Sequence, residues 1–260
     1  MNRKTVESLF ARASNLRCLV VGDLMLDEYL WGKTERISPE APVQVVDVLR
    51  EDLRLGGAGN VANNLLALGC RVSVASVVGE DENGWALLKA FNREGIVTDG
   101  ILQEPGRRTG RKTRVVAANQ QILRIDRESR EPLSATIEGR LCEWLKAHLA
   151  SFDVVLISDY LKGVLTPTVL DCIISSARQR SLPVLVDPKG SDYRKYRGAT
   201  ILTPNRKEAE AAAGMVIHDD ASLQEAAQAI MTSLELDNLL ITRSEEGMRS
   251  EEHTSELQSL

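Results

Sequence analysis

Aromatic side chains are scarce in this chain of 260 residues: Phe, Tyr and Trp together make up 4%. With 43% apolar residues a sizeable core is still available, and Leu, Val, Ile and Ala must fill it. Histidine is scarcer, and His148, His218 and His253 stand far apart, with no spacing that would hold a metal. The cysteines, Cys18, Cys70, Cys142 and Cys172, form no C-x-x-C pair and mostly lie in or beside apolar runs, so they read as buried free thiols rather than disulfides or zinc ligands. No apolar run approaches the ~20 residues of a membrane span, and the charged first 17 residues do not read as a signal peptide. A cytoplasmic protein without a membrane partner is expected. The net charge of -5 supplies no footprint for nucleic acid.

What is present is an alternation of short apolar runs and helical patterns. Strands are expected at 18–21, 71–78, 97–102, 154–157, 184–186, 200–202 and 238–241, and helices at 85–93, 135–149, 167–180, 207–214 and 221–233. This is the pattern of an α/β fold: a doubly wound, mostly parallel sheet with helices on both faces. Two stretches differ. Residues 29–50 contain an alternating run, Val43 to Val48, and residues 109–126 hold two strand-like runs around Ala118-Asn119-Gln120, which has hairpin spacing. Together they predict a small β lid outside the main sheet.

The hub is the run from Gly56 to Gly69, where three glycines lead into a helix with Val61, Leu65 and Leu68 as its inward stripe. Glycines at a helix entrance let a ligand approach the backbone, and Asn60 can both donate to and accept from a hydroxyl-rich ligand. Gly57, Gly59 and Ala62 also fit a G-x-G-x-x-A dinucleotide fingerprint, with Glu80 or Asp81 downstream. That reading needs a buried strand before the glycines, and Arg50 to Leu55 is mostly charged. Elsewhere, Gly22-Asp23 and Asp27 follow the first strand, and four later strands empty into polar turns at Ser158-Asp159, Asp187-Pro188-Lys189, Thr203-Pro204-Asn205 and Thr242-Arg243-Ser244. In a doubly wound sheet these ends form one polar cleft. The basic run Arg107, Arg108, Arg111, Lys112 and Arg114 is a candidate grip for a substrate phosphate.

The string Leu55 to Asn64 with Leu68-Gly69, and the N-x-x-E of Asn205 to Glu208, resemble the signatures of the ribokinase (PfkB-type) carbohydrate kinases. Val21 to Asp27, Arg36 to Val43, Asn119-Gln120-Gln121, Ser158-Asp159-Tyr160 and Asp187 to Gly190 are similar to the heptose-7-phosphate kinase branch of that family, which is commonly half of a bifunctional protein of lipopolysaccharide core synthesis. The resemblance implies transfer of the γ-phosphoryl of ATP, with Mg²⁺, to the 1-hydroxyl of a heptose 7-phosphate. It implies a substrate set of Asp27, Gly56, Gly57, Asn60 and Asp187, with Lys112 for the 7-phosphate. Asn205 and Glu208 would organise the Mg²⁺-bound phosphates through water, Arg206 and Lys207 would lie along the nucleotide, and Thr242, Arg243 and Ser244 near its ribose and phosphates. A homodimer through the lid is implied as well.

The family's second signature, Gly-Ala-Gly-Asp, whose Asp serves as base, does not occur in the 260 residues. Residues 1–248 are expected to form an incomplete kinase domain, and 249–260, a polar Ser- and Glu-rich segment, a tail foreign to it that resembles a translated sequencing adapter. A poorly folded, inactive polypeptide is the corresponding expectation.

Overall fold

The computed structural model describes residues 3–252. Its elements in chain order are α1 (Arg3–Ala13), β1 (Arg17–Gly22), β2 (Leu24–Ile37), β3 (Gln44–Gly57), α2 (Ala58–Ala67), β4 (Arg71–Gly79), α3 (Glu82–Glu94), β5 (Val97–Glu104), β6 (Gly110–Ala117) and β7 (Gln120–Arg127). There follow α4 (Ala135–His148), β8 (Val154–Ser158), α5 (Pro167–Arg178), β9 (Val184–Asp187), β10 (Ile201–Leu202), α6 (Arg206–Ala213), α7 (Asp220–Leu234), β11 (Asn238–Thr242) and β12 (Met248–Glu252). The main sheet has eight strands in the order β12-β11-β10-β9-β8-β1-β4-β5, all parallel except β12, which runs antiparallel to β11.

Period-2 alternation in the strands divides the interior in two. Leu19 and Val21 of β1, with Val155 and Ile157 of β8, face a core built with α4, α5 and α7, whereas Cys18 and Val20 face a second core with Ala58 and Ala62 of α2 and Phe91 of α3. Helices thus cover both faces around β1, as the apolar alternation predicts. On β9, β10 and β11 the residues facing away from the first core, Leu185, Ile201 and Leu240, stay part-exposed and join neither cluster.

Chain direction reverses at β1. From β1 the chain proceeds to β4 and β5 on one side, and β8 then starts a march through β9, β10 and β11 on the other. The carboxyl ends of β1 and β8 therefore flank the switch point, where an open α/β sheet forms its binding crevice. Asp23 stands there alone between β1 and β2, and the chain leaves the main sheet.

What it enters is a separate four-stranded sheet in the order β3-β2-β6-β7. The β6–β7 turn is two residues, Ala118 and Asn119, both with left-handed φ (49° and 61°), the geometry that matches hairpin twist. Several expectations change here. The charged run Arg50 to Leu55 is a strand after all, but it lies in β3, antiparallel to β2 in the lid, so no buried parallel strand precedes the glycines and the dinucleotide fingerprint lacks its context. The lid is longer than residues 29–50 and 109–126, because β2 starts at Leu24 and β3 runs to Gly57. Of the expected inward stripe of α2, Val61 and Leu65 pack against the second core beside the fully buried Ala58, Gly59 and Ala62, but Leu68, at the end of the helix, is 41% exposed. Residues 249–252 pair with β11, so the sheet extends past Met248, while 253–260 of the supposed tail lie outside the described residues. All four cysteines are free and buried, as expected. Among the described residues no helix is long and apolar enough to cross a membrane.

Candidate active site

Two cavities meet at the switch point. The larger, about 660 Å³, lies between the lid and the helices α2 and α3. Alternation along β2 puts Met25, Asp27 and Tyr29 on its wall, and the neighbouring lid strands add Arg54 from β3, Lys112 and Arg114 from β6 and Arg124 from β7. Asp27 is the register partner of both Arg54 and Lys112, and Arg114 Nη1 donates to its Oδ1. The guanidinium carbons of Arg54 and Arg114 lie 5.3 and 5.2 Å from the Tyr29 ring centroid, in cation–π range. Asn60 and Asn63 project from the start of α2, and Arg93 and Glu94 close the far side. Five cations, Arg54, Arg93, Lys112, Arg114 and Arg124, thus face two carboxylates, Asp27 and Glu94. A polar, net-cationic cavity of this kind suits an anionic polyol.

Each glycine of the hub has its own reason. Gly57 adopts φ 58° as the residue that caps α2, and a β-carbon there would meet the Asp23 carbonyl and the Met25 side chain. Gly56 does not line the cavity; it lies buried behind the Asp27 carboxylate, which leaves no room for a side chain. Lys112 points into the cavity, and its ammonium is 3.2 Å from Asp126 Oδ2 and 3.3 Å from Glu128 Oε2. Elsewhere in the basic run, Arg107 bonds Glu104 and the Lys162 carbonyl within the body, whereas Arg111 of β6 bonds Glu28 of β2 and Asn83 of α3 and so ties the lid to the body.

The smaller cavity, about 340 Å³, sits over the carboxyl ends of β9, β10 and β11 and is lined by Asp159, Asp187, Lys189, Thr203, Asn205, Glu208 and Thr242. Asp187 lies here, not with Asp27 and Asn60. Asn205 and Glu208 cap α6 reciprocally: Asn205 Oδ1 accepts from the Glu208 amide and Glu208 Oε2 accepts from the Asn205 amide, each at 3.0 Å. The remaining Glu208 oxygen accepts from Lys189 Nζ at 2.8 Å. Burial, and then the Glu208 carboxylate, push the Asp187 carboxyl above its ordinary value, with Lys189 pulling the other way. Arg206 and Arg243 are turned away: Arg206 bonds the Ile217 carbonyl, and Arg243 pairs with Asp220 at 3.1 Å and with Glu246. Lys207 and Ser244 are exposed and do not line the cavity.

A magnesium nucleotide fits these residues. The amides of Arg206 and Lys207, which the Asn205–Glu208 cap does not use, offer donors to a phosphate, and the crowded carboxylates Asp187 and Glu208 call for a cation that Lys189 alone does not supply. Among the described residues no set of three or more His, Cys, Asp or Glu forms a metal site by itself, so a divalent ion would rely on phosphate oxygens and water.

Two buried aspartates hold the wall between the cavities. Asp23 accepts from the amides of Tyr160 (2.8 Å), Lys162 (3.1 Å) and Val164 (3.2 Å); burial pushes its carboxyl up while these three bonds pull it down. Asp159 accepts from Lys195 Nζ (2.6 Å), the Tyr196 hydroxyl (2.7 Å) and the Leu161 amide (2.7 Å). Tyr160, between them, lines both cavities. The sequence placed Tyr160 in a polar turn and a family-like string without giving it a role, and singled out none of Arg54, Arg93 or Arg124; alternation along β3 and β7 is the one signal that could have placed Arg54 and Arg124 on the cavity face.

The pfkB family carbohydrate kinase profile matches residues 15–258. The chain belongs to that family. Relatives within it include the "Bifunctional protein HldE" of Trichlorobacter lovleyi, 78% identical over 248 residues that cover 95% of this chain and 50% of that protein, and the protein of the same name from Sulfurimonas denitrificans, 50% identical over 89% of this chain and 49% of that one. The chain therefore spans about half the length of the curated relatives it matches. Among solved pfkB-like structures, phosphofructokinase-2 from Escherichia coli in complex with fructose-6-phosphate superposes with a TM-score of 0.72 at 18% identity, covering 92% of this chain and 78% of that one. Arabidopsis thaliana ribokinase complexed with ribose and ATP gives 0.68 at 16%, covering 92% and 75%. At such identities the likeness is one of fold, and it establishes the ribokinase-like α/β architecture expected from the sequence.

Proposed function

We propose that this pfkB-family domain is an ATP-dependent sugar-phosphate kinase whose acceptor is the 1-hydroxyl of a heptose 7-phosphate, in the cytoplasmic route to lipopolysaccharide core. The observation that carries the reading is the meeting of a cationic, hydroxyl-binding cavity with a carboxylate-lined cleft at one switch point, sharing Tyr160. In this reading Asp27, oriented by Arg114, and Asn60 hold sugar hydroxyls, Gly57 makes room for them, Gly56 makes room for the Asp27 carboxylate, and Lys112 meets the 7-phosphate. Asp187 closes the sugar site from the nucleotide side rather than lining the lid cavity. Asn205 and Glu208 shape the start of α6 for the nucleotide phosphates, Lys189 neutralises charge there, and Thr242 lies at the strand end facing the nucleotide. Arg206, Lys207, Arg243 and Ser244 stay peripheral along the nucleotide. When bound, the magnesium nucleotide supplies the phosphoryl group; the protein's part is positioning, charge neutralisation and exclusion of water by the lid. Heptose as the sugar rests on the resemblance strings.

Homodimerisation through the lid is part of the proposal. The lid sheet exposes Ile37 (69%), Leu49 (66%) and Leu123 (54%), together with Val43 and Val48, a set of apolar side chains that a second copy would cover. A polypeptide of these 260 residues, which contain no Gly-Ala-Gly-Asp string, is proposed to bind both ligands with little turnover. The test is ³¹P NMR of the chain with Mg·ATP and heptose 7-phosphate, alongside calorimetry with each ligand. Binding of both with slow or no appearance of a 1-phosphate signal is expected; absence of sugar-phosphate binding at millimolar concentration overturns the reading.

A further inference from the structure

Tyr160 combines a rigid backbone with an open side chain. It follows Ser158-Asp159 at the switch point, and its amide and those of Lys162 and Val164 all end on the Asp23 carboxylate. The next residue, Leu161, takes a left-handed φ of 55°, which non-glycine residues adopt seldom, and its amide is held by Asp159. Lys195 and the Tyr196 hydroxyl fix Asp159 in turn. This much local order is spent on a residue whose own side chain remains 38% exposed. The ring stands in both cavities, with Asp27 on the lid side and Asp187 on the sheet side as the carboxylates that act on its phenol.

We infer that the Tyr160 ring is a positioning partition that couples the two cavities: a sugar phosphate packs on one side, a nucleotide on the other, and each ligand is held better when the other is present. The ligand identities rest on the sugar-kinase reading above. The physical basis is that the ring, 38% exposed, borders both cavities, so packing it against one ligand need not be repeated for the other; the first ligand to order it bears that cost and the second does not. The aromatic ring carries the effect through its surface, while the hydroxyl is dispensable.

The test is calorimetry on the 260-residue chain with heptose 7-phosphate, alone and with saturating Mg²⁺ and a non-hydrolysable ATP analogue, for wild type, Tyr160→Phe and Tyr160→Ala. The analogue is expected to tighten the sugar phosphate about tenfold in wild type and in Tyr160→Phe, and by less than about twofold in Tyr160→Ala. Melting temperatures matched to wild type show that the variants are folded. Equal coupling in Tyr160→Ala, loss of coupling in Tyr160→Phe, or no coupling in a wild type that binds both ligands overturns the inference. A wild type that binds neither ligand overturns the sugar-kinase reading itself, a distinct result seen before any variant is made.

Discussion

The Asp27 carboxylate rests directly on the backbone of Gly56, across the antiparallel β2–β3 pair, at a separation that no β-carbon at position 56 could share. A buried glycine outside the cavity therefore sets the position of the carboxylate inside it. Gly56→Ala is expected to push Asp27 off Arg114, costing about 1–3 kcal/mol of stability by overpacking and lowering sugar-phosphate affinity about tenfold or more. Calorimetry beside thermal melting checks this, and unchanged affinity contradicts it.

Lys112 is the second point of leverage. Its ammonium balances Asp126 and Glu128 while facing the cavity, so its removal takes away a ligand for the phosphate and leaves two carboxylates to repel it. Lys112→Ala is expected to weaken heptose 7-phosphate about tenfold, the scale of one charge-assisted hydrogen bond, and to leave the unphosphorylated heptose unaffected. A parallel loss for both sugars would assign Lys112 to the lid's architecture alone.

Away from the cavities, Tyr196 ties the Lys189 turn to Asp159: its hydroxyl donates to Asp159, and the Lys189 amide donates to it at 2.9 Å. Tyr196→Phe leaves a buried carboxylate short of a donor, which costs about 1–3 kcal/mol. Denaturant unfolding reads the loss, and an accompanying fall in nucleotide affinity is expected because Lys189 is no longer held beside Glu208.

Acid stability offers a test of a tie between strand starts. Arg17 grips Asp153 through its amide and guanidinium, and these hydrogen bonds lower the Asp153 carboxyl from 3.8 to about 2. A folded-state value below the unfolded one gives stability that is full above 3.8 and disappears as pH falls from 3.8 to about 2. Asp153→Asn is expected to melt below wild type near neutral pH and to converge with it across that acid window. Thermal melts as a function of pH show it; a constant gap contradicts it.

The main sheet was legible because its central strands are buried on both sides and read as continuous apolar runs, such as Cys18 to Val21, between amphipathic helices. The lid was half legible. Its β6–β7 hairpin announced itself by spacing, whereas the second half of β3 is two-sided, exposed and charged, which erases the apolar signal. The inward face of α2 was read in part: Val61 and Leu65 pack against the second core as their spacing implies, while its closest contacts come from the small residues Ala58, Gly59 and Ala62 rather than from Leu68. At the site, Asn60 and Asn205 fell at helix starts as read, whereas Asp27, expected at the end of the first strand, lies inside the lid strand β2 between Arg54 and Lys112. Arg206 and Arg243 did not enter the cleft, because the α6–α7 connection offers them the Ile217 carbonyl and Asp220 instead. Tyr160 depended on contacts with residues 137 positions away, which no local pattern contains.

The central claim is that two cavities around one switch point form a single site for a sugar phosphate and a nucleotide. A crystal structure of the chain with heptose 7-phosphate, Mg²⁺ and a non-hydrolysable ATP analogue tests it most directly. The sugar is predicted beside Asp27 and Asn60 and the triphosphate at the start of α6, on opposite sides of Tyr160; either ligand bound elsewhere on the molecule would contradict the account.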